Sequence, residues 1–187
     1  MLGIRANMVL NLTGDSIAKQ GANSDSLTSS TDRELLRHLR DVSDLIITSG
    51  ATYRSENLRP SKLAPMLVLS RDRTLGFAGE QSRGLNQVFV AQGEDAVDLA
   101  INFMAQNGYK SAVLECGKTL TSQFASRGAI SEFCLTVNHS GFVSPNTAKI
   151  VDLLAQLNFE SSELIKAHSD DTHCFWVARK KLISAAS

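Results

Sequence analysis

Apolar and polar positions alternate along this chain in blocks whose period switches repeatedly between strand-like and helix-like. The first compact apolar run, "ANMVLNL" from Ala6 to Leu12, predicts a strand. A polar stretch, "TGDSIAKQGANSDSLTSS", follows and predicts an irregular surface loop. "TDRE" then places Thr31 and Glu34 at capping-box spacing, and Leu35, Leu36, Leu39 and Val42 form one apolar helical stripe behind it. "DLIITSG" and "APMLVLSR" predict a second and a third strand, and "NQVFVA" a short fourth. Val97, Ala100, Phe103 and Met104 recur at helical spacing and stop near Gly108. "SAVLE" reads as strand five, "TLTSQFASRG" as a helix with Gly128 past its end, and "EFCLTVN" as strand six. "TAKIVDLLAQL" predicts a short helix, and "SSELIKAHS" with "HCFWVARKK" a closing antiparallel pair.

Strands alternating with helices predict an α/β fold. The expected arrangement is three layers, α/β/α, around a mostly parallel mixed sheet with a C-terminal antiparallel hairpin. Ligands of such sheets bind beyond the carboxyl ends of the strands. Three loops fall there, "TSGAT", "SRDR" and "ECGKT", all rich in small, hydroxyl or cationic residues. That chemistry suits a phosphorylated, dinucleotide-like ligand.

Composition narrows the function classes. The 187 residues fit a single domain spanning 1–187, and 43% hydrophobic with 20% charged residues is ordinary for a globular protein. A formal net charge of zero favours neither nucleic acid nor an anionic membrane as partner. No apolar run is long enough to span a membrane, and no signal-peptide pattern opens the sequence, which points to a cytoplasmic protein. The three cysteines, Cys116, Cys134 and Cys174, are far apart and fit reduced thiols better than a disulfide frame or a zinc site. The histidines are too scattered to predict a metal centre.

"LECGKTL", Leu114 to Leu120, has the Gly-Lys-Thr ending of a P-loop. Position 112, where that motif requires its first glycine, is Ala112 inside the predicted strand. No wrapping loop can form there, so a triphosphate grip is excluded. What remains is a strand, a tight turn and a helix N-terminus able to hold an anion.

Taken in order, these segments resemble the reductase domain of riboflavin biosynthesis, the RibD C-terminal family, and within it the short stand-alone pyrimidine reductases. "NMVLNLTG" stands where the family has a strand and an S-L-D-G-like turn. "SDSLTSSTDRELLRHLR", Ser24 to Arg40, matches its serine and first helix. "DLIITSGATYRSE", Asp44 to Glu56, matches "DAILVGAGTVRAE", and "LVLSR" matches its "VSR" strand end. "LECGKTL" corresponds to "V-E-G-G-P-T-L", "SEFCLTV" to "DEL-C-L-T-V", and "DDTHCFWVARK" to "DGTLFLRYR". The resemblance covers nearly the whole chain, and order and spacing carry it rather than any one motif.

It implies a dihydrofolate-reductase-like fold, a homodimer, and NADPH-dependent reduction of a ribosylaminopyrimidine phosphate. Thr52, Glu56, Gly117, Lys118, Thr119 and Leu120 then contact the cofactor, with Ser70 and Arg71 near its 2′-phosphate. Asn11, Ser24, Arg40 and Glu115 face the substrate, Glu115 being the candidate for proton handling. The chain departs from the family pattern at Asn11, Thr13, Ala51, Cys116 and Lys118. A side chain at Cys116 permits close approach of a pyrophosphate only if that residue avoids positive φ. Read without the resemblance, Arg40 equally suits a helix C-terminus, Glu115 a surface carboxylate, and Ser49 and Thr52 turn caps. A non-catalytic or ligand-binding relative of the same fold is the alternative reading.

Overall fold

A computed structural model describes residues 3–16, 29–59, 61–71, 87–140 and 142–180. Ser24, proposed to face a substrate, and the greater part of the loop after the first strand lie outside the described residues.

The elements run β1 (Gly3–Asn11), α1 (Ser30–Asp41), β2 (Leu45–Ser49), α2 (Gly50–Ser55), β3 (Met66–Ser70), β4 (Val88–Gln92), α3 (Ala96–Asn107), β5 (Ser111–Glu115), α4 (Lys118–Ser126), β6 (Ile130–Asn138), α5 (Thr147–Ala155), β7 (Glu163–Ser169) and β8 (His173–Arg179). The strands form one eight-stranded sheet in the order β4-β3-β2-β5-β1-β6-β8-β7. Every pairing from β4 to β6 is parallel, and β8 runs antiparallel to both β6 and β7. This is the mixed sheet with a closing hairpin that the pattern predicts.

Alternation along the strands sorts side chains into two cores, one on each face. Ile4, Ala6, Leu10, Leu114, Phe133 and Leu135 pack with Ala100 and Met104 of α3, Phe124 of α4 and Ile150 of α5. The opposite face carries a smaller cluster, with Ile46, Met66, Val68 and Val113 against Leu39 of α1 and Tyr53 of α2. Helices therefore cover both faces, α1 and α2 on one and α3 to α5 on the other. Phe133 and Phe159 meet edge-on at 5.4 Å inside the larger core.

Local chemistry sets the helix ends. Gly108 closes α3 at φ 72°, a left-handed cap that glycine adopts at no steric cost. The start of α1 departs from the capping box at Thr31 and Glu34. Ser29 is the cap, its hydroxyl accepting from the Asp32 amide. The helix begins there because Asp32 turns inward, where its carboxylate accepts from the Thr136 hydroxyl at 2.7 Å and is almost fully buried. α2 was not expected from periodicity; six residues are too few to display one.

Burial pushes the Asp32 carboxyl above its usual range, and the Thr136 hydrogen bond offsets this in part. The folded state therefore holds a proton more tightly than the unfolded chain, so Asp32 makes stability fall as pH rises from the ordinary carboxylate value to the raised one. Asp32→Asn is expected to flatten that slope in chemical denaturation curves recorded across the acid range.

Candidate functional site

The topology creates one crevice where connections leave adjacent strands in opposite directions. From β2 the chain passes by way of α2 to β3, outward on one side; from its neighbour β5 it passes by way of α4 to β6, on the other. Such a switch point, at the carboxyl ends of parallel strands, is where open α/β sheets hold ligands. A cleft of about 830 Å³ lies there, walled by Ser49–Thr52, Arg54 and Ser55, the end of β3, the Gly93–Glu94 turn and the first turn of α4.

Gly117 caps α4 with extended backbone (φ −66°, ψ 164°) and no side-chain hydrogen bond. Thr121 is the first residue of the helix whose N–H turns back into it, to Gly117 O at 3.1 Å. The amides of Lys118, Thr119 and Leu120 therefore have no partner within the helix, and they line the cleft. A Cβ built on Gly117 meets nothing within 4 Å, so the space before this turn is open. Together with the positive end of the helix dipole this is a cradle for an anion.

Cys116 does not obstruct it. Among the described residues only Asn57 and Asn158 are non-glycine positions at positive φ, so Cys116 sits in ordinary backbone with its side chain in the core. Its Sγ lies 3.2 Å from the Thr121 hydroxyl. Burial pushes its thiol up to about 12, and Cys134 likewise to about 12. With Cys174 also buried, all three thiols are expected to resist an aqueous thiol reagent in the native state and to react together on unfolding, which a timed thiol-labelling assay reads directly.

Lys118 reaches across to the turn after β1, donating from Nζ to Gly14 O at 2.6 Å. That turn is organised by Asn11, whose side-chain carbonyl accepts from the amides of Thr13 and Asp15 at 2.9 and 2.8 Å. Asn11 is thus placed as a builder of the turn. Its neighbour Asp15 is held below the usual carboxylate range by hydrogen bonds from Thr13 and Asn11.

Thr52 donates its amide to Ser49 Oγ at 3.0 Å, and the two hydroxyls lie 2.9 Å apart. Ser49 is thus the cap of α2, and both residues line the cleft. Ser70 and Arg71 line the same cleft, whereas Glu56 ends α2 on an exposed position outside its lining.

Strand register puts Thr48 and Glu115 side by side on the α1 face, the reverse of the sheet from the larger core. Here the two charged candidates meet. Arg40 donates from Nε to Glu115 Oε1 at 2.8 Å and from Nη2 to Oε2 at 2.5 Å. Their side chains are 24% and 10% exposed, and Thr48 locks the strand end by donating to Glu115 O at 2.6 Å. The Glu115 hydrogen bond raises the Arg40 guanidinium above its ordinary value, and Glu56 adds to this electrostatically. A fork-to-fork pair at a strand end, with a raised arginine, orients both groups toward the carboxyl edge of the sheet. On this face too, the Asn7 Oδ1 is buried without a hydrogen-bond partner among the described residues. Asn7, Asp32 and Thr136 show no periodic or motif signal that would have marked them in the sequence. No group of three or more potential metal ligands occurs among the described residues.

Comparison with solved structures decides the fold class. A pyrimidine reductase-like protein from Corynebacterium diphtheriae superposes with a TM-score of 0.71 at 17% identity, covering 95% of this chain and 91% of that one. RibD from Acinetobacter baumannii gives 0.67 at 18% identity over 96% of this chain, which spans 58% of its length. Dihydrofolate reductase from Enterococcus faecalis, solved with NADP(H), gives 0.61 at 16% identity, covering 95% of each chain. The fold is dihydrofolate-reductase-like. No family model matches the sequence, and a comparison with curated proteins finds no match. Among the described residues no helix is long and apolar enough to cross a membrane.

Proposed function

We propose that this protein is an NADPH-dependent reductase acting on a ribosylaminopyrimidine phosphate of the riboflavin-biosynthesis type or a related heterocycle. The observation that carries the reading is the uncapped α4 N-terminus opening on a cleft of about 830 Å³ at the β2/β5 switch point. A dinucleotide fits it. Its pyrophosphate takes the amides of Lys118, Thr119 and Leu120 beyond Gly117, Thr52 approaches from the facing loop, and Ser70 and Arg71 lie toward the adenosine end. Glu56 acts on the Arg40–Glu115 pair rather than on the cleft. When bound, the cofactor supplies the hydride, and the protein's share is to hold two rings in contact and keep water out.

The substrate side is the α1 face of the same strand ends. Arg40 meets an anionic or carbonyl group, and Glu115, its carboxylate oxygens already accepting from Arg40, orients that guanidinium and accepts from the substrate. Asn11 contributes by shaping the turn over the site. The Saccharomyces cerevisiae reductase Rib7, a riboflavin-biosynthesis enzyme, shares the fold at a TM-score of 0.61, which adds to the reading without carrying it. The test is turnover of the ribosylaminopyrimidine phosphate with NADPH, followed by loss of cofactor absorbance. Oxidation dependent on both compounds is expected, and saturable cofactor binding without turnover of any such substrate would contradict it.

A second reading, a ligand-binding relative without turnover, draws on the fact that Lys118 and Arg40 are both already engaged by protein groups. The dimer expected of such reductases draws on the edge strand β7 and its exposed Ile165, and light scattering at micromolar concentration checks it.

A further inference from the structure

The two ends of Lys118 serve different structures. Its amide belongs to the α4 cradle, whereas its ammonium donates to Gly14 O at 2.6 Å, 104 positions away in the turn after β1. With a charged donor, such a bond is stronger than one between neutral groups. The proline that stands at this position in the family pattern has no donor to send across. The link is a property of this chain.

The turn it reaches is built mostly on itself. Asn11 Oδ1 accepts from the amides of Thr13 and Asp15 and from the Thr13 hydroxyl, and the Gly14 amide donates back to Asn11 O at 3.0 Å. These bonds shape the turn without tying it to its surroundings. Gly14 does that, and does it twice. At φ 90° it lies so close to the end of α5 that a Cβ built there would meet Gln156 Oε1 at 2.5 Å and Leu153 Cδ2 at 3.2 Å. Its carbonyl meanwhile takes the Lys118 ammonium. Ser16, two residues on, lines the cleft together with Lys118, so the turn is part of the cleft wall. The exposed Asp15 carboxylate, held low by Thr13 and then by Asn11, also feels the Lys118 charge, which favours keeping the ammonium at the turn.

We propose that the Lys118 side chain is a strap that fastens the turn after β1 to the first turn of α4 and so sets how fast a dinucleotide enters and leaves the cleft. The inference rests on the dinucleotide reading of the cleft. Lys118 is then a positioning residue, its amide serving the phosphates and its ammonium serving the wall. Releasing the strap loosens the wall and removes none of the amides that hold the phosphates. Both rates of exchange therefore rise, and affinity changes little.

Lys118→Met keeps the backbone amide and most of the side chain's length while removing the donor. In the ligand-free protein, hydrogen exchange at the Gly14 and Asp15 amides is expected to quicken about tenfold, the scale of losing one charge-assisted hydrogen bond. Stopped-flow mixing with NADPH is expected to show association and dissociation both faster by more than about threefold, with Kd changed less than about twofold. Lys118→Arg, which still carries donors for Gly14 O, should stay near wild type in both measurements. Unchanged exchange in Lys118→Met overturns the strap, whether or not cofactor binds. Faster dissociation alone, with Kd weakened about tenfold and less sensitive to salt, would make the ammonium a phosphate ligand and overturn it too. Faster hydrogen exchange with unaltered binding rates overturns the gating. If wild type binds no NADPH, the dinucleotide reading and the gating fall together, and hydrogen exchange still decides whether Lys118 holds the turn.

Discussion

Arg40→Ala is expected to lower the free energy of unfolding by about 3 kcal/mol, since it leaves the carboxylate of Glu115 largely buried without its partner. The pair is bidentate, and the strand end that carries Glu115 is held rigidly by Thr48, so the carboxylate has little freedom to swing into water. Removing the guanidinium therefore exposes the desolvation penalty that the pair had offset. Glu115→Gln alone should cost less, because an amide tolerates burial better than an unpaired charge. The double variant Arg40→Met, Glu115→Gln should recover most of the loss, because replacing both members of a buried pair is often close to neutral. Urea denaturation of the set measures the coupling. A change under about 0.5 kcal/mol for Arg40→Ala would show the pair to be solvent-screened like an ordinary surface ion pair.

Thr119→Asp is expected to move stability and binding in opposite directions. Thr119 is exposed in the first turn of α4, whose amides carry no cap. A carboxylate there complements the helix dipole and should stabilise the fold by about 0.3–1 kcal/mol. The same charge sits in the anion cradle and should repel a pyrophosphate, weakening NADPH more than about tenfold. A variant that merely damaged the structure would lose on both counts, so the paired measurement of melting temperature and cofactor affinity separates the two explanations. Stabilisation without loss of binding would mean that the cofactor's phosphates lie elsewhere.

The mostly parallel sheet and its closing hairpin were readable in outline because the strands are short apolar runs separated by helices with clear stripes or glycine stops, as around Gly108 and Gly128, whereas the strand order was not. α2 was not, because "GATYRS" is too short for any period to show. The start of α1 was misplaced by two residues because Ser29 and Thr31 are both plausible caps, and only the burial of Asp32 against Thr136 on a distant strand decides between them. Arg40 and Glu115 were each legible as candidates, yet their pairing was not, since it spans 75 positions and depends on the register of β5 against β2. Cys116 raised a backbone question that only φ could answer, and its ordinary conformation removes the obstacle.

The central claim, that the α4 N-terminus and the β2/β5 crevice form a dinucleotide site, is tested most directly by calorimetric titration of the full chain with NADPH. Saturable binding at one site per chain, weakened by Thr119→Asp, is the result expected. No binding heat up to millimolar NADPH would contradict it.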